Sequence, residues 1–298
     1  MNIQKLLLVV AATVVIATGQ SRADEKKKIA FCSTTQVADF TRQVVGDRWE
    51  VICVLGSGED PHTYKVRASD KSDAARADLC VENGWNLEGH DWMKKLAAEA
   101  GKPIVTCVDG VQPLQMQEGE DTVKDPHAWF DPRNAVIYVN NIRDAVIKID
   151  PTNATEYKVR GELYTRQLIL LSGWVKKTVG VIPVKRRVLI THHDAFGYFC
   201  NAFSFKPLSP AGWSTADFGD VTVDRRQAIV NQIRDNGVKA IFVESSTNGA
   251  LILGIAKDAG VSVGGKLYSD AMGAEGSAGE TYIGMIRENV VTIVNALK

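Results

Sequence analysis

From Lys28 onward, short apolar runs alternate with stretches whose apolar residues recur at helical spacing. The runs "KIAFCS", "WEVICVLG", "ADLCVEN" and "PIVTCVDG" close on Gly, Ser, Asn or Asp. Between them lie helical patterns such as "VADFTRQVVG" and "DWMKKLAAEAG". Apolar runs separated by helical stretches predict a parallel sheet with crossover helices. The same rhythm returns after Lys185, where "RRVLIT", "AIFVES" and "VGGKLYS" alternate with "RRQAIVNQIRDNG" and "GALILGIAKDAG". The pattern therefore predicts an α/β protein of two lobes, each with a mainly parallel sheet flanked by helices.

The connection between the lobes carries its own pattern. Asp131-Pro132 and Asp150-Pro151 each read as a helix N-cap followed by proline at the first helical position. After the second, Tyr157, Tyr164, Leu168, Leu171, Val175 and Val179 form one helical stripe, which runs to Gly180 or Pro183. A helix of that length reaches about 45 Å at 1.5 Å per residue. It makes a stiff joint, and the motion expected between the lobes is small. The predicted organisation is an N-terminal lobe over 24–150, a connecting backbone helix over 151–182 and a C-terminal lobe over 183–298.

Residues 1–23 precede this organisation. Lys5, an apolar run from Leu6 to Ala17 and the small residues of Ser21-Arg22-Ala23 follow the plan of a cleavable signal peptide. The run is shorter than the roughly 20 residues that span a bilayer. No cysteine stands at the cleavage position, so a soluble periplasmic protein without a lipid anchor is expected. The mature chain has 33 basic and 35 acidic residues, a net charge of −2, which argues against a nucleic-acid partner. Cys32, Cys53, Cys80 and Cys107 lie in strand-like runs and Cys200 stands apart. None has C-x-x-C spacing, and burial as small apolar residues is the expectation for the strand cysteines.

Two of the five histidines share one context, "EDPHTY" around His62 and "KDPHAW" around His127. Ligands of open α/β sheets bind beyond the carboxyl ends of the strands. His62 follows the predicted strand Trp49–Leu55, His193 follows "RRVLIT", and Asp270 follows the strand ending near Tyr268. His127 precedes the helix that starts at Pro132. If the loop ends of two lobes face each other, these four side chains meet. Three imidazoles and one carboxylate can close a tetrahedron around zinc and leave no position for water. Proline fixes its own φ and pushes the preceding Asp towards extended geometry, so each Asp-Pro stiffens the loop that presents its imidazole. The aspartates could also orient the imidazoles as acceptors. Taken singly, His62 and His127 read as ordinary loop histidines, since two of the four Asp-Pro pairs merely start helices.

The motifs "DPHTY", "DPHAWFDP", "HDAFGYF" and "LYSDAMG", in this order, resemble the metal-binding solute-binding proteins of ABC importers, the TroA/ZnuA-like family. The similarity extends through "AIFVESS" and "GETYIGMIRENVVTIVNALK". The resemblance implies a periplasmic receptor with metal ligands at His62, His127, His193 and Asp270. It implies an inner-membrane ABC permease as partner, and a monomer is expected. Zinc is the expected cargo, because histidine at the third position accompanies zinc in that family. Manganese is the alternative, because the stretch "LQMQEGEDTVKD" lacks the His-rich loop of the zinc branch. The segment "SPAGWSTADFGD" is less acidic than the family pattern.

The match to H-D-A-F-G-Y favours His193 over His192 as the ligand. His90 reads as a surface or capping residue, and Glu244 as an acceptor beneath the site or a structural group. Tyr64, Trp129, Phe196 and Tyr198 read as packing around the cleft. A zinc hydrolase is the rival class; Glu244 would be its base. It would require an open coordination position, which Asp270 as fourth ligand removes.

Overall fold

Strands β1 (Lys28–Cys32), β2 (Trp49–Cys53), β3 (Leu79–Glu82) and β4 (Ile104–Thr106) form one parallel sheet in the order β2-β1-β3-β4. This computed structural model describes residues 26–118, 120–212 and 221–298. The expected signal peptide, 1–23, together with Gly119 and most of "SPAGWSTADFGD", lies outside the described residues. Side chains alternate across the sheet. Ala30, Cys32, Leu79 and Val81 enter the main core, while Ile29, Phe31 and Cys80 pack under α2 (Ala68–Arg76) and α3 (Trp92–Ala100). Burial on both faces is why these strands read as unbroken apolar runs.

Helix α1 (Thr35–Val45) crosses from β1 to β2, and the Thr34 hydroxyl caps its start by accepting from Val37 N–H. An antiparallel hairpin, β5 (Gln115–Glu118) and β6 (Asp121–Lys124), interrupts the α/β pattern just before the second Asp-Pro-His. Asp131 caps α4 (Pro132–Ile149) and accepts from Arg133 N–H at 2.9 Å, as the Asp-Pro signal predicts. At Asp150-Pro151 the helix is delayed by a 3-10 turn, Pro151–Asn153, before α5 (Ala154–Val179) begins. Its 26 residues reach about 39 Å. Every residue of the predicted stripe is buried. Gly161 lets α4 approach, since a Cβ there would stand 3.2 Å from Arg143 Cδ.

In the C-terminal half, β7 (Val188–Ile190) pairs in parallel with β8 (Lys206–Leu208), and β9 (Ala240–Glu244) with β10 (Ser262–Leu267). The short α6 (Gly197–Phe203) links β7 to β8. Helices α7 (Val223–Asp235) and α8 (Ala250–Ala259) cover one side through Ile229, Ile233, Ile252 and Ile255. The other side faces α9 (Tyr282–Leu297). One apolar cluster runs from Ala30 through Tyr138 and Tyr164 to Leu297, so α1, α4, α5 and α9 bind both halves into a common core. Tyr282 is fully buried at that seam; its hydroxyl donates to the Trp129 carbonyl at 2.6 Å and its N–H to Asp39 at 3.0 Å. All five cysteines are free thiols; four are buried and Cys53 is half-buried. Burial pushes the Cys53 thiol up to about 12 and Cys80 to about 11. Among the described residues, no helix is long and apolar enough to cross a membrane.

Candidate metal centre

The two Asp-Pro-His segments fold alike. Asp60 Oδ1 accepts the His62 backbone N–H at 2.9 Å, and Asp125 Oδ1 accepts the His127 N–H at 2.9 Å. A carboxylate bonded to the N–H two residues on closes a tight turn, and the intervening proline removes the competing donor. Further bonds anchor each loop. The Pro61 carbonyl accepts from Trp92 Nε1 at 3.1 Å, and the Pro126 carbonyl from Asn83 Nδ2 at 2.9 Å. Asn83, at the carboxyl end of β3, is itself fixed by the Tyr138 hydroxyl at 2.7 Å. Repetition of the motif is therefore repetition of a rigid turn that presents one imidazole.

His62, His127, His193 and Asp270 come together, with one donor atom from each lying within 4.8 Å of all the others. His62 Nε2 and His127 Nε2 are 3.3 Å apart, His127 Nε2 and Asp270 Oδ1 3.5 Å, and His193 Nε2 and Asp270 Oδ2 3.3 Å. All four residues are buried. The strand before His62 ends at Cys53, two residues earlier than the sequence pattern predicts, and the loop to the turn is correspondingly longer. His193 follows β7 at the start of a 3-10 turn, Asp194–Phe196, and Asp270 follows β10.

Two carboxylates set the imidazoles. His127 Nδ1 meets Asp125 Oδ1 at 2.8 Å, and His193 Nδ1 meets Glu244 Oε2 at 2.6 Å. A carboxylate beside Nδ1 holds the proton there and turns the Nε2 lone pair towards the centre. Glu244 Oε1 also accepts the N–H groups of His192 and His193, at 2.7 and 3.0 Å. Thus Glu244 lies behind an imidazole at the end of β9, where a base acting on substrate would have to face the cavity. Gly197 makes room for the other carboxylate, because a Cβ at that position would stand 2.5 Å from Asp125 Oδ2.

Charge is distributed unevenly around the centre. Burial pushes the His62 imidazole down to about 3, against the pull of Asp270. Burial also works against the charged form of His193, but Glu244 and Asp270 prevail and hold it well above its ordinary value. For Asp270, burial favours the neutral acid, yet His193 and the other imidazoles hold it well below the usual carboxylate range. His193 and Asp270 thus form a buried ion pair across 3.3 Å, yet among the described residues neither His193 Nε2 nor Asp270 Oδ1 makes an aligned hydrogen bond. Buried polar atoms of that kind fit a cation that would bind them.

His192 is as buried as His193 but lies outside the four-residue group, as alternation at a strand end predicts. His90 is exposed, at φ 58 in the turn before α3. Tyr198 does more than pack: its hydroxyl accepts from Leu114 N–H at 2.9 Å and donates to the Asp125 carbonyl at 3.1 Å. A residue of the C-terminal half so fastens the neck of the hairpin to the turn that holds His127. Sequence reasoning missed Asn83 and this role of Tyr198. For Asn83 the available signal was its place at a strand's carboxyl end.

Known proteins share this architecture. The manganese-binding lipoprotein MntA of Bacillus subtilis is 35% identical over 284 residues, covering 93% of this chain and 91% of MntA. The structure of the periplasmic zinc-binding protein TroA from Treponema pallidum superposes with a TM-score of 0.85 at 31% identity, over 91% of this chain and 99% of TroA. The Mn-bound periplasmic metal-binding protein of Candidatus Liberibacter asiaticus gives 0.82 at 28% identity, over 91% and 100% of the two chains. Residues 31–296 match the family described as zinc-uptake complex component A, periplasmic, and this protein is accordingly a member of that ZnuA family of metal-binding components.

Proposed function

We propose that the protein is a periplasmic receptor that takes up zinc between its halves through His62, His127, His193 and Asp270. It then delivers the ion to an ABC permease in the inner membrane. The donor spacing carries this reading. Donors about 2.0–2.1 Å from a tetrahedral zinc stand about 3.3–3.4 Å from one another. Three contacts above, at 3.3, 3.5 and 3.3 Å, lie near that spacing, with Asp270 meeting His127 through Oδ1 and His193 through Oδ2, and one donor from each residue lies within 4.8 Å of the others. Three neutral imidazoles and one carboxylate suit zinc better than manganese, which favours oxygen. The ion is cargo, and four protein ligands leave no place for an activated water. One chain supplies every ligand, so a monomer suffices.

Manganese is the competing cargo, on the observation that the 35%-identical MntA is named for it. Metal analysis of protein isolated from its native periplasm decides between them. One zinc per chain is expected; manganese with trace zinc would overturn the zinc assignment. Asp270→Ala tests the ligand set. Losing a group that merely orients a ligand costs about 10- to 100-fold in metal affinity, so loss of the Asp270 ligand should cost a receptor at least as much. A site that keeps its metal unchanged without Asp270 would refute the four-ligand reading.

A further inference from the structure

The loop that carries Asp270 is gripped from the opposite half of the molecule. Within its own half, Tyr268 exchanges two hydrogen bonds with the Asn289 side chain, each 2.8 Å. Ser246 Oγ lies 2.8 Å from Ser269 Oγ and 3.4 Å from Asp270 Oδ2. The backbone on either side of Asp270 is met by the N-terminal half. Gln36 Nε2 donates to the Ser269 carbonyl at 3.1 Å. Met272 N–H donates to Thr35 Oγ1 at 2.8 Å, and Ser57 Oγ donates to the Met272 carbonyl at 2.8 Å. Thr35 Oγ1 in turn donates to Gln36 Oε1 at 3.0 Å. The bonds therefore run in one direction, Met272 to Thr35 to Gln36 to Ser269, and enclose Asp270 and Ala271. The Ser269 carbonyl can only accept, which fixes the Gln36 amide orientation.

Each of these cross-half bonds joins residues more than 210 positions apart in sequence. Gln36 and Ser269 are buried, so their bond forms where water competes little, while the bonds of Thr35 and Ser57 to Met272 are partly buried. Ser57 belongs to the segment that leads into the His62 turn, so one stretch of chain both presents His62 and holds the loop of Asp270. The Asp270 side chain is short, and a loop displacement of about 1 Å is enough to spoil a coordination distance.

We propose that Thr35, Gln36 and Ser57 form an inter-half clamp that holds Asp270 at coordinating distance and thereby sets the rate at which the ion is released. These are positioning residues: they touch the loop, not the metal. The proposal rests on the receptor reading above and adds to it where the position of the fourth ligand is decided. When the halves part, the clamp bonds break, and Asp270 loses the contacts that hold it against the imidazoles.

The test uses the full mature protein loaded with zinc and mixed with a fast chelator in a stopped-flow instrument. Gln36→Leu keeps the side-chain volume and removes the amide; it is expected to raise the dissociation rate by about 10- to 100-fold. Ser57→Ala, on an exposed segment that tolerates truncation, should raise it by a smaller factor and serves where Gln36→Leu fails to fold. In an Asp270→Ala background the same changes should have no further effect, because the group they position is gone. In the cobalt-loaded protein, Gln36→Leu should shift the visible d–d bands in the same direction as Asp270→Ala. Unchanged dissociation in both variants would overturn the clamp, as would an equal acceleration with and without Asp270. If Asp270→Ala itself leaves zinc affinity unchanged, the receptor site fails instead, a result separate from the clamp's.

Discussion

Glu244→Gln isolates the carboxylate that stands behind His193 without changing the size of the side chain. Glu244 is 1% exposed and receives three hydrogen bonds, two from backbone N–H groups and one from His193 Nδ1. An amide cannot satisfy all three. With its oxygen on the backbone donors, its NH2 faces Nδ1, and the imidazole must move its proton to Nε2, where it blocks the metal. With its oxygen on Nδ1–H, the NH2 is pressed against two N–H donors. The first arrangement must be undone before the metal binds, and the second leaves a buried donor unpaired, so each costs about 1–3 kcal/mol. At 1.4 kcal/mol per factor of ten, zinc affinity should fall about 5- to 150-fold. Competition with a chromophoric chelator at neutral pH measures it, with the thermal midpoint of the metal-free variant as the folding control. An affinity equal to wild type in a properly folded variant would refute the idea that Glu244 sets the tautomer of His193.

The His193 imidazole, held above its ordinary value by Glu244 and Asp270 in the metal-free protein, must lose its proton to bind the ion. A raised value means that the proton is present at neutral pH and that affinity falls as pH drops below that value, by about tenfold per unit for one proton. His62, pushed down to about 3, adds no such dependence near neutrality. Calorimetry in buffers of different ionisation enthalpy should show about one proton released per zinc; no release would contradict the ion pair. Tyr282→Phe removes the donor to the Trp129 carbonyl at the buried seam and should cost about 1–3 kcal/mol in urea unfolding, with zinc stoichiometry unchanged. A variant of wild-type stability would show that this bond contributes nothing net.

The stripe on α5 was legible because a long helix repeats its buried face at a fixed period, and each of the six predicted positions is buried. The meeting of the four candidate residues was legible for a different reason: strand ends mark where loops converge, and the duplicated Asp-Pro-His made coincidence a poor account of His62 and His127. What stayed hidden lacked any such period. The β5–β6 hairpin is mostly polar, with only Met116 and Val123 apolar, α2 buries only Asp70 and Ala74, and β8 contains Pro207, which reads against a strand. Asn83, Gln36 and the hydroxyl of Tyr198 act on backbone groups far away in the chain. A backbone carbonyl has no residue identity, so no motif announces that it is being held.

His127 and His193 are 0% exposed, and Asp270 1%. With His62 at 7%, a group so enclosed among the described residues offers an ion little room to be exchanged while the walls stand. On the receptor reading, arrival and departure would share the same breathing of the protein, and a captured ion's residence time would follow the frequency of that event as well as the strength of its bonds. Passing chelators in the surrounding fluid would then compete only during those moments, however tightly they bind.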